Sequence, residues 1–269
     1  MAIMLFISAC DTTATPPPTP TSLPTLTPSP TITPTPTATI LNEGAKVQTA
    51  HCRVINNGFS ARYALAWANV CEVSFEGYQE IYGLDALALN NLDAVEVRLF
   101  REARTEPSLD AHGKKITFRG SESHLLPPAD GGANNIYGIC HEMGHLVFPI
   151  ADSYYFEAWA DYAAAYRIIP FVWERLGADA WPQPYDYLVN DGPVDLRQRL
   201  EDGIGKADMF GDHYRAVAVL ISVDEAYGPQ VIGRAILQTE APMKLNDFEE
   251  ALVEVTGDQK VREMFAVKP

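Results

Sequence analysis

Read by its hydrophobic pattern, the chain falls into three stretches. From Asp11 to about Ile40, Thr and Pro dominate with scattered Leu and Ile, and no apolar periodicity of 2 or 3.6 residues is present to close a core. Folded sequence is expected from about Lys46. Over residues 61–82, Tyr63, Ala66, Trp67, Val70, Cys71 and Val73 recur mostly at three- and four-residue spacing, which predicts an amphipathic helix stopping near Gly83. Residues 94–100 and 115–119 alternate apolar with polar, the pattern of half-buried strands. After a loop rich in Pro, Asp and Gly (127–135), the chain reads as helix almost to its end. Segments 214–227, 229–238, 246–256 and 258–266 are predicted helices, with Gly228 and Gly257 as stop signals and Asn246 as an N-cap. The expected fold class is therefore α+β, with a mixed α/β upper half (about 41–150) and a helical lower half (151–269).

Charge and cysteine usage narrow the setting. Against 20 basic residues stand 35 acidic ones, a net charge of −15 that repels phosphate backbones, so no nucleic-acid partner is expected. The simplest role of that acidity is solubility. No stretch reaches the roughly 18 consecutive apolar residues of a membrane helix. The four cysteines, Cys10, Cys52, Cys71 and Cys140, contain no CxxC pair. Cys52 and Cys71 form a candidate disulfide suited to an oxidising exterior. Cys140 is expected in the core. Residues 1–10 are a short apolar run ending in Ile7-Ser8-Ala9-Cys10, without Lys or Arg. Small residues before that cysteine resemble the lipobox of bacterial lipoproteins, which implies lipidation of Cys10, a membrane partner through the lipid anchor, and an extracytoplasmic, cell-surface location. Residues 11–40 then read as a tether, roughly 30 residues rising about 3 Å each in extended polyproline-like conformation.

The candidate chemistry sits at His141-Glu142-Met143-Gly144-His145. Two histidines four apart share one helical face and suit a tetrahedral Zn²⁺, while Glu142 reaches in from the side as a general base. Zinc would supply a water whose pKa lies near neutrality. A bare HExxH arises by chance in about one chain in a hundred of this length, so the weight rests on the next predicted helix. There Glu157 and Asp161 also stand four apart. Glu157 is the candidate third ligand. Asp161 is placed to accept the spare N–H of a ligating histidine. Asp152 or Asp161 as the third ligand stays open as an alternative.

This constellation resembles the gluzincin metallopeptidases, namely the thermolysin-like, aminopeptidase-N-like and plant basic-secretory-protein-like families. The resemblance implies a zincin fold with zinc in the cleft between the two halves. It assigns metal ligation to His141, His145 and Glu157, the general base to Glu142 and support of the ligands to Asp161. Only eleven residues separate His145 from Glu157, fewer than in thermolysin-like or aminopeptidase-like members, so the connection must be a tight turn around Pro149. Residues 212–228 and 245–265 resemble the aminopeptidase-N-like C-terminal region, which implies that Tyr214 donates to the oxyanion of a tetrahedral intermediate. His213 is the alternative donor, by likeness to thermolysin-like enzymes. The expected function is zinc-dependent hydrolysis of peptide bonds in a peptide or protein substrate. The alternatives are a non-catalytic surface binding module that keeps the scaffold, and a zinc hydrolase of a non-peptide amide. Strand 115–119 is the candidate edge for an extended substrate, and His51, His112 and His124 are expected to be exposed without partners.

Overall fold

Alternating apolar positions in the first half fold into one mixed sheet, and the helical periodicities stack beside it. The computed structural model describes residues 39–41, 46–102, 108–112, 114–120, 135–151, 153–176 and 212–266. The expected lipidation site at Cys10, nearly all of the Thr/Pro stretch, His124 and Asp152 lie outside those residues. Six strands are present among them: β1 (Thr39–Leu41), β2 (Lys46–Gln48), β3 (Cys52–Asn57), β4 (Val95–Arg101), β5 (Ser108–His112) and β6 (Lys115–Gly120). Their order in the sheet is β1-β2-β3-β4-β6-β5. The β3–β4 and β4–β6 pairs are parallel, and β1–β2, β2–β3 and β5–β6 are antiparallel. Among the described residues strand pairing is present from Thr39, ahead of the expected start near Lys46. The expected strand at 115–119 is real, but it lies inside the sheet with both neighbours paired. Among the described residues the edge strands are β1 and β5.

The predicted first helix, α1 (Ala61–Tyr82), starts where Ser60 accepts the Tyr63 N–H and stops at Gly83, whose φ of 72° suits glycine. Its apolar face is wider than an amphipathic surface helix needs: fourteen of its twenty-two residues are buried. The reason is that α1 packs against β3 on one side and against three further helices on others, α3 (Asn135–Val147), α5 (Ile169–Leu176) and α7 (Pro229–Gln238). Val54, Val97, Leu99, Ile116 and Phe118 supply the sheet side of this core, with Trp67 tilted onto Phe118 at 5.1 Å between ring centres. The expected disulfide is present, joining Cys52 of β3 to Cys71 of α1. Beside it the buried Glu72 accepts from the Thr49 hydroxyl (2.6 Å) and the His51 backbone N–H (2.9 Å), and pairs with His51 Nδ1 (2.6 Å). His51 also stacks on Phe75, so it has partners that sequence spacing did not predict.

A short helix, α2 (Ala86–Asn90), leads into β4. After the sheet the described chain is helical apart from one bridge. Following α3 come α4 (Ser153–Ala163), a five-residue wider turn with i to i+5 bonding (Ala164–Ile168), α5, α6 (Asp212–Tyr227), α7, α8 (Leu245–Thr256) and α9 (Lys260–Ala266). Gly228 and Gly257 end α6 and α8 at φ of 84° and 68°. Asn246 is not the cap of α8: the helix begins one residue earlier, with Lys244 as the capping position and Asp247 accepting its backbone N–H at 3.3 Å. No described helix is long and apolar enough to cross a membrane.

Candidate metal centre

The HExxH segment lies in the second half of α3, whose rotation is fixed by extra donors to its own carbonyls. Tyr78 Oη donates to Cys140 O (2.8 Å), Trp159 Nε1 to Gly144 O (3.1 Å) and Asn90 Nδ2 to Leu146 O (2.6 Å). One face of α3, including Ile139, Cys140, Met143 and Val147, is buried in the core. The other carries His141 and His145, with side chains 14% and 6% exposed. Gly144 determines how close the next helix comes. A Cβ there would meet Tyr78 Oη at 2.8 Å and the Ala160 Cα at 3.1 Å, so α4 lies nearly backbone to backbone on α3. The tight turn demanded by the short spacing is held from outside. Met243 N–H donates to Pro149 O (2.9 Å) and Ala151 N–H to Met243 O (2.8 Å), pinning the link between the two helices.

That packing brings three candidate ligands together. His141 Nε2 and His145 Nε2 are 3.0 Å apart, and Glu157 Oε2 lies 3.3 Å from the first and 3.6 Å from the second. Ligands at about 2.0–2.1 Å from a tetrahedral zinc stand about 3.3 Å from one another. The triangle matches that spacing without rearrangement. Two imidazole nitrogens facing each other at 3.0 Å with a carboxylate oxygen beside them is a donor set that suits a divalent cation, and zinc takes nitrogen and oxygen together. These are the residues singled out in the sequence, and among the described residues they are the group able to hold a metal ion. Glu142, the next residue after His141, is 7% exposed.

Asp161 links the centre to α6. Its Oδ1 is 2.8 Å from His141 Nδ1, and its Oδ2 is 3.0 Å from His213 Nε2. A carboxylate only accepts, so both ring nitrogens must carry protons. The proton on His141 Nδ1 leaves its Nε2 lone pair directed at the other two ligands, the tautomer a metal needs. Without metal, burial opposes charge on His141, but the bonds from Asp161 and Glu157 outweigh it and push its pKa up to about 9. Burial and then the neighbouring charge of His141 push His145 down to about 4. The hydrogen bond from His141 holds the Glu157 carboxyl below its ordinary range. The pair thus carries one proton charge where a bound cation would sit.

Tyr214, next to His213 at the start of α6, meets the His213 ring edge-on at 5.1 Å between centres. Farther along α6, Asp224 is buried and accepts two 2.7 Å bonds from Arg167, one to each oxygen, and one of 2.5 Å from Tyr162. This clamp ties α6 to the wider turn beyond α4. Sequence spacing missed it, and it also missed Phe156, whose ring stacks on His145 at 3.9 Å. The last aromatic of the run Tyr154-Tyr155-Phe156, one position before a candidate ligand, reads as ordinary core, and only the fold distinguishes it. No family model, curated protein or solved structure matches this chain.

Proposed function

We propose that this chain is a gluzincin-type zinc peptidase that hydrolyses peptide bonds with Glu142 as general base. The reading is carried by one observation: His141 Nε2, His145 Nε2 and Glu157 Oε2 converge at tetrahedral-ligand spacing on the helix that also bears the buried Glu142. Zinc held by His141, His145 and Glu157 would supply a water of lowered pKa and Lewis acidity toward the scissile carbonyl. Glu142 takes the proton from the attacking water and passes it to the leaving amine. His213 Nε2 is placed to donate to Asp161, so Tyr214 is assigned the oxyanion and His213 the hold on the carboxylate that orients His141. An extended peptide lies along β5, the last strand on its side of the sheet among the described residues, which packs against α3.

The chain acts outside the cytoplasm, lipidated at Cys10 and carried on its Thr/Pro tether. The Cys52–Cys71 bond supports an oxidising compartment.

The test is metal content together with cleavage of a quenched-peptide library by the full chain, as wild type and as Glu142→Gln. Near-stoichiometric zinc in both, with cleavage at least about a hundredfold slower in the variant, is the expected outcome. Equal cleavage by both removes Glu142 from the mechanism. Zinc without any cleavage favours a binding module or a non-peptide amide substrate, and absence of zinc removes the site.

A further inference from the structure

The two histidines of the centre are held in different ways, and the difference points to a residue that the ligand pattern does not contain. A histidine that binds metal through Nε2 ordinarily donates its Nδ1–H to a carboxylate, carbonyl or water, which fixes tautomer and ring plane together. His141 obeys this rule through Asp161. His145 does not: its Nδ1 is buried without a hydrogen-bond partner among the described residues, on a side chain only 6% exposed. What lies against the imidazole instead is the face of Phe156, 3.9 Å away between ring centres and within 19° of parallel.

We propose that Phe156 is a positioning residue for His145, taking over by aromatic stacking the orienting job that a hydrogen-bond acceptor does for His141. This rests on the zinc peptidase reading of the same site. Stacking constrains the plane of the imidazole, and therefore the direction of the Nε2 lone pair, through contact across the ring face. Phe156 is also the residue before Glu157 on α4. One helix thereby delivers both the third ligand and the surface that aims the second, and the close α3–α4 contact at Gly144 sets the separation between them. A stacked ring places no acceptor on Nδ1. His145 is consequently aimed by shape, while His141 is aimed by a charged hydrogen bond.

The experiment compares the full chain as wild type, Phe156→Leu and Phe156→Tyr in two measurements. Zinc affinity is read by competition with a chromophoric chelator, and the His145 ring protons are read by NMR in the metal-free protein. Phe156→Leu keeps apolar bulk but loses the flat face. It is expected to weaken zinc binding about tenfold, the scale of losing a ligand's orienting partner. The upfield ring-current shift of the His145 protons should vanish with it, while Phe156→Tyr stays close to wild type in both readouts. Wild-type affinity in Phe156→Leu, or His145 proton shifts unchanged by the substitution, overturns the proposal. If wild type binds no zinc, the peptidase reading falls, and the metal-free proton shifts still decide whether Phe156 fixes the ring.

Discussion

Asp161 offers the sharpest perturbation, because its two oxygens make two separable contacts. Oδ1 accepts from His141 Nδ1 at 2.8 Å and Oδ2 from His213 Nε2 at 3.0 Å. Asp161→Asn preserves shape but leaves one acceptor oxygen and turns the other position into an NH₂ donor. Two N–H groups then face each other unless His213 changes tautomer, and the charge that raises the basicity of His141 is gone. Loss of such a partner costs about 10- to 100-fold in metal affinity, or roughly 1.4–2.7 kcal/mol. Asp161→Asn, which can keep the His141 bond, should fall near the tenfold end, and Asp161→Ala, which loses both bonds, near the hundredfold end. His213→Ala should change zinc affinity little, since Asp161 retains His141. Chelator competition measures all three, and zinc-dependent thermal stability provides an independent check, because each tenfold loss removes about 1.4 kcal/mol of stabilisation at saturating metal. Without metal the sign is fixed by the raised His141 pKa. Its stabilising contribution is complete below the ordinary value of 6.5 and fades as pH rises through about 9, so Asp161→Asn should flatten stability across that window. An unchanged zinc affinity in Asp161→Ala, or a loss in His213→Ala as large as in Asp161→Ala, would refute this assignment of the carboxylate.

Arg167→Met removes the bidentate partner of buried Asp224; breaking a fully buried pair from one side costs about 3–5 kcal/mol, and the 40% exposure of the Arg167 side chain lowers that cost. The remaining Tyr162 bond points to the lower end, read as a drop in urea midpoint, and an unchanged midpoint would show the clamp to be dispensable. The Cys52–Cys71 bond closes a loop of sequence separation 19, for which chain entropy gives about 3 kcal/mol. The double Ala variant should lose about that much in denaturant titration, and a difference below about 1 kcal/mol contradicts the entropic account. Gly233→Ala would set a Cβ onto the Tyr82 carbonyl oxygen, so α7 must move off the end of α1. Overpacking of this kind costs about 1–3 kcal/mol or more, seen as a lowered Tm, and an unshifted Tm would mean the two helices do not meet there.

Much of the fold is legible in the sequence because local rules decide it. The end of α1 at Gly83, the stops at Gly228 and Gly257 and the strands at β4 and β6 come from turn chemistry and two periodicities. Strands β1, β2, β3 and β5 are not legible in this way. Thr39–Leu41 and Lys46–Gln48 are three residues each, too short to alternate, and become strands only by pairing with each other and with β3. The identity of the sheet edge likewise depends on order. Lys115–Gly120 has the pattern of a strand wherever it sits, and β5 pairing outside it makes it internal.

The centre divides along the same line. His141 and His145 on α3, and Glu157 and Asp161 on α4, are set by four-residue spacing, since each pair lies on one face of one helix whatever surrounds it. How the two faces meet is a packing result. It requires Gly144 and Ala160 to be small, Met243 to pin the turn, and Trp159 to reach a carbonyl on the opposite helix. His213 reaches Asp161 across fifty-two positions of sequence, a separation no periodicity encodes. The candidate ligand set is thus the local part of the centre. Its orientation is the non-local part, shared among Asp161, Phe156 and the helix that carries His213. If this division is right, substitutions at packing positions such as Gly144 should lower zinc affinity and stability together, while substitutions at Asp161 should lower affinity with little change in metal-free stability at high pH.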